Sequence, residues 1–286
     1  ALTRAAFALV LFALSFAARA QLTIEITGAG ANRIPIAIAD FAGEPGVARA
    51  VSMVIRADLE RSGLFRLVEA NAPLAENAAV NFADWKTRGA DALVVGSIQP
   101  AANGRYEVRF RLHDVQKQAS LGGLAYVMTA QQGRTTGHRI ADFVYEKLLG
   151  EPGIFSTRIA YVVQTGLGAN ARYALMVADA DGYNPQTVVR SDKPLMSPSW
   201  SPDGKRLAFV SNRGGTPQVY VMSSEGGEAK RLTFQGNYNQ TPDWSPRGDL
   251  IAFTARDERN AFDLFTVNVD SGKVNRLTQD QGNNAE

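Results

Sequence analysis

Met196-Ser-Pro-Ser-Trp200-Ser-Pro-Asp-Gly204-Lys-Arg-Leu-Ala-Phe209-Val-Ser211 returns later in the chain as Gln240-Thr-Pro-Asp-Trp244-Ser-Pro-Arg-Gly248-Asp-Leu-Ile-Ala-Phe253-Thr-Ala255. The two tryptophans stand 44 positions apart, and Pro202/Pro246, Gly204/Gly248 and Phe209/Phe253 keep that interval. A period of about 40–45 residues filled with strand-length apolar runs is what one four-stranded propeller blade requires. Each tryptophan is expected to begin an inner strand and to wedge between neighbouring blades, with Ser-Pro closing that strand. Asp-Gly then allows the positive φ of a tight turn, and Arg247 in the later copy leaves its glycine in place.

Working outward, Arg158–Val163 aligns with Arg206–Ser211, the Asp181-Gly182 turn with Gly226-Gly227, and Arg231-Leu-Thr233 with Arg276-Leu-Thr278. Three repeat units follow, about 155–195, 196–240 and 241–286. The first lacks a Trp-Ser-Pro strand before Arg158, and the last stops at Asn283-Asn-Ala-Glu286, where the next such strand is due. Closed propellers have four to eight blades. The expectation is therefore an all-β, incomplete β-propeller in a truncated chain, with a lost C-terminal strand completing the first blade.

Residues 21–150 read as an α/β domain, a mixed sheet with helices. Ile34–Ala39 and Leu64–Val68 are strand-like, and Val47, Val51, Val54, Ile55 and Leu59 follow helical spacing up to Ser62-Gly63. Ala92–Ile98 and Tyr106–Val115 flank Asn103-Gly104, a hairpin signal. Tyr106, Val108, Phe110 and Leu112 should face inward, and Glu107, Arg109, Arg111 and His113 the solvent. Another strand is expected over Leu121–Met128, then a helix carrying Ile140, Phe143, Val144 and Leu148 that stops at Gly150. Gly150-Glu-Pro-Gly153 is the linker.

Residues 1–20 read as an export signal. Arg4 precedes the apolar stretch Ala5–Ala17, and Ala18-Arg19-Ala20 supplies a cleavage site between Ala20 and Gln21. That stretch is too short to span a bilayer, which needs roughly 20 apolar residues. No membrane insertion is expected after signal removal. The chain begins at Ala1 rather than Met, which suggests clipping at this end too.

The formal net charge is +2, and Arg4 and Arg19 of the signal account for it. A neutral mature chain offers no electrostatic footprint for nucleic acid. With no cysteine there is neither a disulfide framework nor a thiolate nucleophile. Asp179-Ala-Asp181-Gly182 opens like a calcium loop, but Arg190 stands where the bidentate glutamate belongs, so a hairpin turn is the better reading. Gly28-Ala-Gly30 has Arg33 at its third glycine position, against a dinucleotide site. His113 reads as a solvated strand residue and His138 as the opening of a helix. There is no Gly-x-Ser-x-Gly elbow, and two isolated histidines make a catalytic triad improbable. No cofactor or metal is expected.

Arg158-Ile-Ala-Tyr-Val-Val163, Asp181-Gly-Tyr-Asn184, Pro194-Leu-Met-Ser-Pro-Ser-Trp-Ser-Pro-Asp-Gly204 and Gly137-His138 with Glu146-Lys-Leu148 resemble the TolB family, periplasmic components of the Tol–Pal envelope system. The resemblance implies a six-bladed propeller, of which this chain supplies about three blades. The second unit looks more like a later family blade than the one expected after the first. It also implies a monomeric, non-enzymatic adaptor in the periplasm, serving outer-membrane integrity and constriction during cell division. The Pal lipoprotein would bind the loops before each Trp-Ser-Pro block: Leu195, Met196 and Ser197; Tyr238, Asn239 and Thr241; Asn283, Asn284 and Ala285. TolA would bind the mature N-terminus, Gln21, Leu22, Thr23, Ile24, Glu25 and Ile26, whose alternation suits strand addition or docking as a switchable segment. The alternatives are an ordinary first strand there, the propeller of an exported serine peptidase whose catalytic domain lies elsewhere, and an envelope sensor with a ligand in its channel.

Overall fold

The computed structural model describes residues 33–70, 72–234, 236–256 and 261–278. The expected signal segment, residues 21–26 and the trio Asn283, Asn284 and Ala285 lie outside them.

The first half builds one mixed sheet in the order β3 (Phe65–Val68), β1 (Ile34–Ile38), β4 (Ala92–Ala101), β5 (Arg105–Asp114), β6 (Ala119–Met128), with the short β2 (Ala42–Gly43) beside β4. β1 runs parallel to β3 and β4, and β4, β5 and β6 pair antiparallel. Helices α1 (Pro45–Arg61) and α3 (Gly133–Leu149) cover one face, over a core that includes Ile36, Ile38, Val51, Ile55, Phe110, Leu112, Ile140 and Val144. The short α2 (Phe82–Thr87), which periodicity could not reveal, covers the other face with Trp85 against Ala37, Leu93 and Val95. Proline at the start of α1 is tolerated because its missing N–H belongs to a turn without intrahelical partners.

Gly137 lets α3 approach α1. A Cβ there would lie 2.8 Å from Val54 Cβ and 3.1 Å from the Val51 carbonyl. The helix begins at Gly133, so His138 sits inside α3, not at its opening as expected, and is buried. His113 also departs from expectation. It is buried, edge-on to the Phe82 ring at 5.7 Å, because α2 packs over that end of β5.

The second half contains three antiparallel sheets: β7 (Arg158–Thr165), β8 (Arg172–Asp179) and β9 (Gln186–Ser191); β10 (Leu195–Trp200), β11 (Arg206–Ser211), β12 (Gln218–Ser223) and β13 (Lys230–Arg231); and β14 (Asn237–Trp244), β15 (Leu250–Arg256), β16 (Phe262–Asn268) and β17 (Val274–Arg276). The first has three strands and the others four. The described sheets do not close into a ring. Trp200 and Trp244 end their strands rather than beginning them. Ser201 and Ser245 then accept the amides of Arg206 and Leu250, and Gly204 (φ 67°) and Gly248 (φ 72°) take the left-handed turn position.

Apolar residues fill the spaces between sheets. Leu175, Leu195, Leu207, Phe209 and Tyr220 pack between the first and second, and Ala208, Val219, Val221, Trp244, Ile251 and Phe253 between the second and third. Phe209 stacks on Tyr220 with centroids 5.9 Å apart, and Phe253 on Phe265 at 5.6 Å in the matching place. Fully burying each such side chain contributes about 1.5–3 kcal/mol. The outer strand repeats as well. Thr233 Oγ1 accepts the Val219 amide at 2.9 Å, and Thr278 Oγ1 accepts the Leu264 amide at 3.0 Å.

Candidate functional site

The segments before the tryptophans are built on irregular strands. β10 shifts register between Met196 and Ser199, and β14 between Asn237 and Gln240 and again between Gln240 and Asp243. Ser197 (φ 48°) and Thr241 (φ 46°) hold equivalent left-handed positions, each directly before a proline, and Tyr238 (φ 63°) is a third. For residues with a Cβ this conformation costs roughly 1–2 kcal/mol. Bulges of this kind re-aim side chains, and such strain is typical of binding sites.

Ser197, Tyr238 and Thr241 are exposed, and Met196 is half-buried. Leu195 and Asn239 face inward instead. Leu195 belongs to the apolar layer between the first two sheets. The Asn239 amide donates to the Pro217 carbonyl at 3.2 Å, and its Nδ2 donates to Gln218 Oε1 at 2.9 Å. These two residues hold the surface from behind. Their inward direction follows from the bulges, which break the simple alternation of a strand.

The second and third sheets are clasped beneath this face. Trp244 Nε1 donates to the Ser199 carbonyl at 3.2 Å, and Ser199 Oγ donates to Asp243 Oδ1 at 3.1 Å. The Arg206 guanidinium lies 4.6 Å from the Trp244 ring centroid and donates to the Gly248 carbonyl at 3.0 Å. Arg158 repeats this one sheet earlier, 4.9 Å from the Trp200 ring and 2.8 Å from the Gly204 carbonyl. Trp200 Nε1 is buried without a hydrogen-bond partner, since among the described residues no inner strand of the first sheet stands beside it to supply the carbonyl that Ser199 gives Trp244. The two clasping arginines were missed as such in the sequence. Their signal is that each begins the strand Arg-x-Ala in successive units.

Titratable groups at the opposite, turn end serve structure. The Ser201 hydroxyl and the Lys205 amide hold the Asp203 carboxyl below the ordinary carboxylate range, and the Ser245 hydroxyl does the same for Asp249. Burial, aided by Arg111, lowers the His113 pKa. Among the described residues one group could hold a metal, His138 with Asp179 and Asp181. The described residues thus present an irregular surface braced from behind.

Residues 22–121 match the family model for the TolB amino-terminal domain, and residues 145–211 and 198–286 match the TolB beta propeller domain. The chain belongs to the TolB family. The Tol-Pal system protein TolB of Dechloromonas aromatica is 54% identical over 228 residues, covering 79% of this chain and 53% of that relative. Its counterpart in Aromatoleum aromaticum is 54% identical over 226 residues, covering 79% and 52%. The crystal structure of TolB from Acinetobacter baumannii superposes with a TM-score of 0.75 at 34% identity, covering 87% of this chain and 61% of that one. The chain thus spans about half the length of the curated TolB relatives it matches.

Proposed function

We propose that this protein is a periplasmic, monomeric, non-enzymatic adaptor of the Tol–Pal system, supporting outer-membrane integrity and constriction during division. It binds the Pal lipoprotein through Met196, Ser197, Tyr238 and Thr241, together with the segment around Asn283, Asn284 and Ala285. It binds TolA through its mature N-terminus, Gln21 to Ile26. Leu195 and Asn239 support the first surface without touching the partner.

The observation that carries this reading is the matched left-handed bulge at Ser197 and Thr241, which gives two neighbouring blades the same strained, outward-facing segment. The clasp through Arg206, Ser199 and Trp244 makes that surface rigid before a partner arrives, which lowers the ordering cost of binding. The test is titration of purified Pal into the full-length exported protein. Met196→Ala with Tyr238→Ala should weaken binding by roughly tenfold or more. Lys205→Ala, on the exposed turn at the other end of the blade, should leave it unchanged. Equal affinities for all three proteins would remove the face from consideration.

A further inference from the structure

Two motifs without a part in that reading, Gly137-His138 and Asp179-Ala-Asp181-Gly182, meet where the first half of the chain touches the first blade. His138 is 3% exposed, and its Nδ1 lies 2.6 Å from Asp58 Oδ2 on α1. An ionised carboxylate only accepts, so Nδ1 is the donor there. The other Asp58 oxygen pairs with Arg61, which holds the carboxylate in turn. The opposite ring atom, Nε2, is buried without a hydrogen-bond partner and lies 4.0 Å from Asp181 Oδ2. Asp179, at the end of β8, adds a second carboxylate, and the three ligand atoms lie within 4.8 Å of one another.

The separation of Nε2 from Asp181 Oδ2 is too long for a hydrogen bond, which spans about 2.7–3.2 Å. It is within the reach of two ligands that each stand about 2.0–2.2 Å from one ion. A proton on Nε2 would serve one carboxylate, whereas a metal ion serves both. The donor chemistry also selects the metal. Asp179 and Asp181 lack the glutamate of a calcium loop, and the fold brings them a histidine instead. Calcium and magnesium take oxygen ligands, and an imidazole nitrogen favours zinc and its neighbours in the transition series.

We propose that His138 Nε2, Asp179 and Asp181 form a site for a divalent metal of the zinc class, tying the amino-terminal α/β unit to the first propeller blade. Asp58 is a positioning residue: by accepting Nδ1–H it turns the Nε2 lone pair toward the ion, the carboxylate–histidine arrangement common behind metal-bound imidazoles. The Tyr183 amide holds Asp181 Oδ1 at 3.0 Å, and Arg134 of α3 pairs with Oδ2 while stacking on the Tyr183 ring. Oδ2 keeps a further lone pair for the ion, and ligating carboxylates are ordinarily hydrogen-bonded in this way. The guanidinium charge moderates the affinity without taking the ligand position.

Zinc titrated into the chelator-treated full chain, followed by calorimetry, tests this. A single ion should bind. Asp179→Asn, at a strand end and expected to fold, should abolish that binding, as should His138→Gln. Asp58→Asn should weaken it about 10–100-fold, and His113→Gln should leave it unchanged. Long-range proton–nitrogen spectra of the wild-type chain, which do not depend on any variant folding, should show zinc shifting His138 Nε2 while Nδ1 keeps its hydrogen. Zinc should also slow hydrogen exchange over residues 133–142 and 179–184 together, because one ion holds both. No zinc uptake by the folded wild-type chain, equal uptake in Asp179→Asn and His138→Gln, or a His138 ring unmoved by zinc would each overturn the site.

Discussion

Arg158 and Arg206 perform the same task in successive sheets, each covering the next tryptophan and holding the carbonyl of the glycine turn behind it. A guanidinium suits both contacts because it is planar, always charged and carries several fixed donors. Arg206→Met should therefore lower stability by about 1–2 kcal/mol in urea unfolding, and Arg206→Lys should recover little of it. An unchanged midpoint for Arg206→Met would refute the clasp. His113 makes a different kind of contribution. Its pKa is depressed in the folded state by burial, so the unfolded chain takes up a proton there more readily than the native one. The stability it contributes is present above the ordinary histidine value of about 6.5 and fades as pH falls through the depressed value. His113→Phe should flatten that part of the acid limb when unfolding is followed from about pH 8 to 4.

At the level of elements, the α1–α3 contact and the bulged inner strands decide where side chains point. Gly137 is the close-approach point of the helix pair. Gly137→Ala should push the helices apart, costing about 1–3 kcal/mol by overpacking, and should separate His138 from Asp58. A thermal melt and the His138 ring signals check the two halves of that statement, and a wild-type melting temperature sinks the first. In β10 and β14, around the left-handed Ser197, Tyr238 and Thr241, Tyr238 is exposed and Met196 half-buried while Leu195 and Asn239 turn inward. Much of this level was legible beforehand. The residues Val51, Ile55 and Leu59 mark α1, and Asn103-Gly104 marks the β4–β5 turn, because amphipathic period and turn chemistry are local properties. The direction of Leu195 and Asn239 was not legible, since no local rule reveals a bulge.

For the whole molecule, the proposed use of an amino-terminal segment and a blade face for different partners implies separable losses. Deleting residues 21–27 should abolish TolA capture while leaving Pal affinity intact or tighter, in pull-downs with each purified partner. TolA retention at the wild-type level would reject the assignment of that segment. The division of information between sequence and tertiary structure follows from range. The 44-residue interval between Trp200 and Trp244, the Asp-Gly turn and the helical spacing of α1 depend on neighbours in the chain, and the sequence by itself determined the α/β unit, the blades and the family. Residues 80 positions apart, His138 and Asp58, came together only through the packing of α3 on α1. Asp181 reached His138 only because the first blade docks there, and His113 lost its water only because α2 lies over β5. Burial and charge pairing are set by which surfaces meet, and that is decided by the folded chain as a whole.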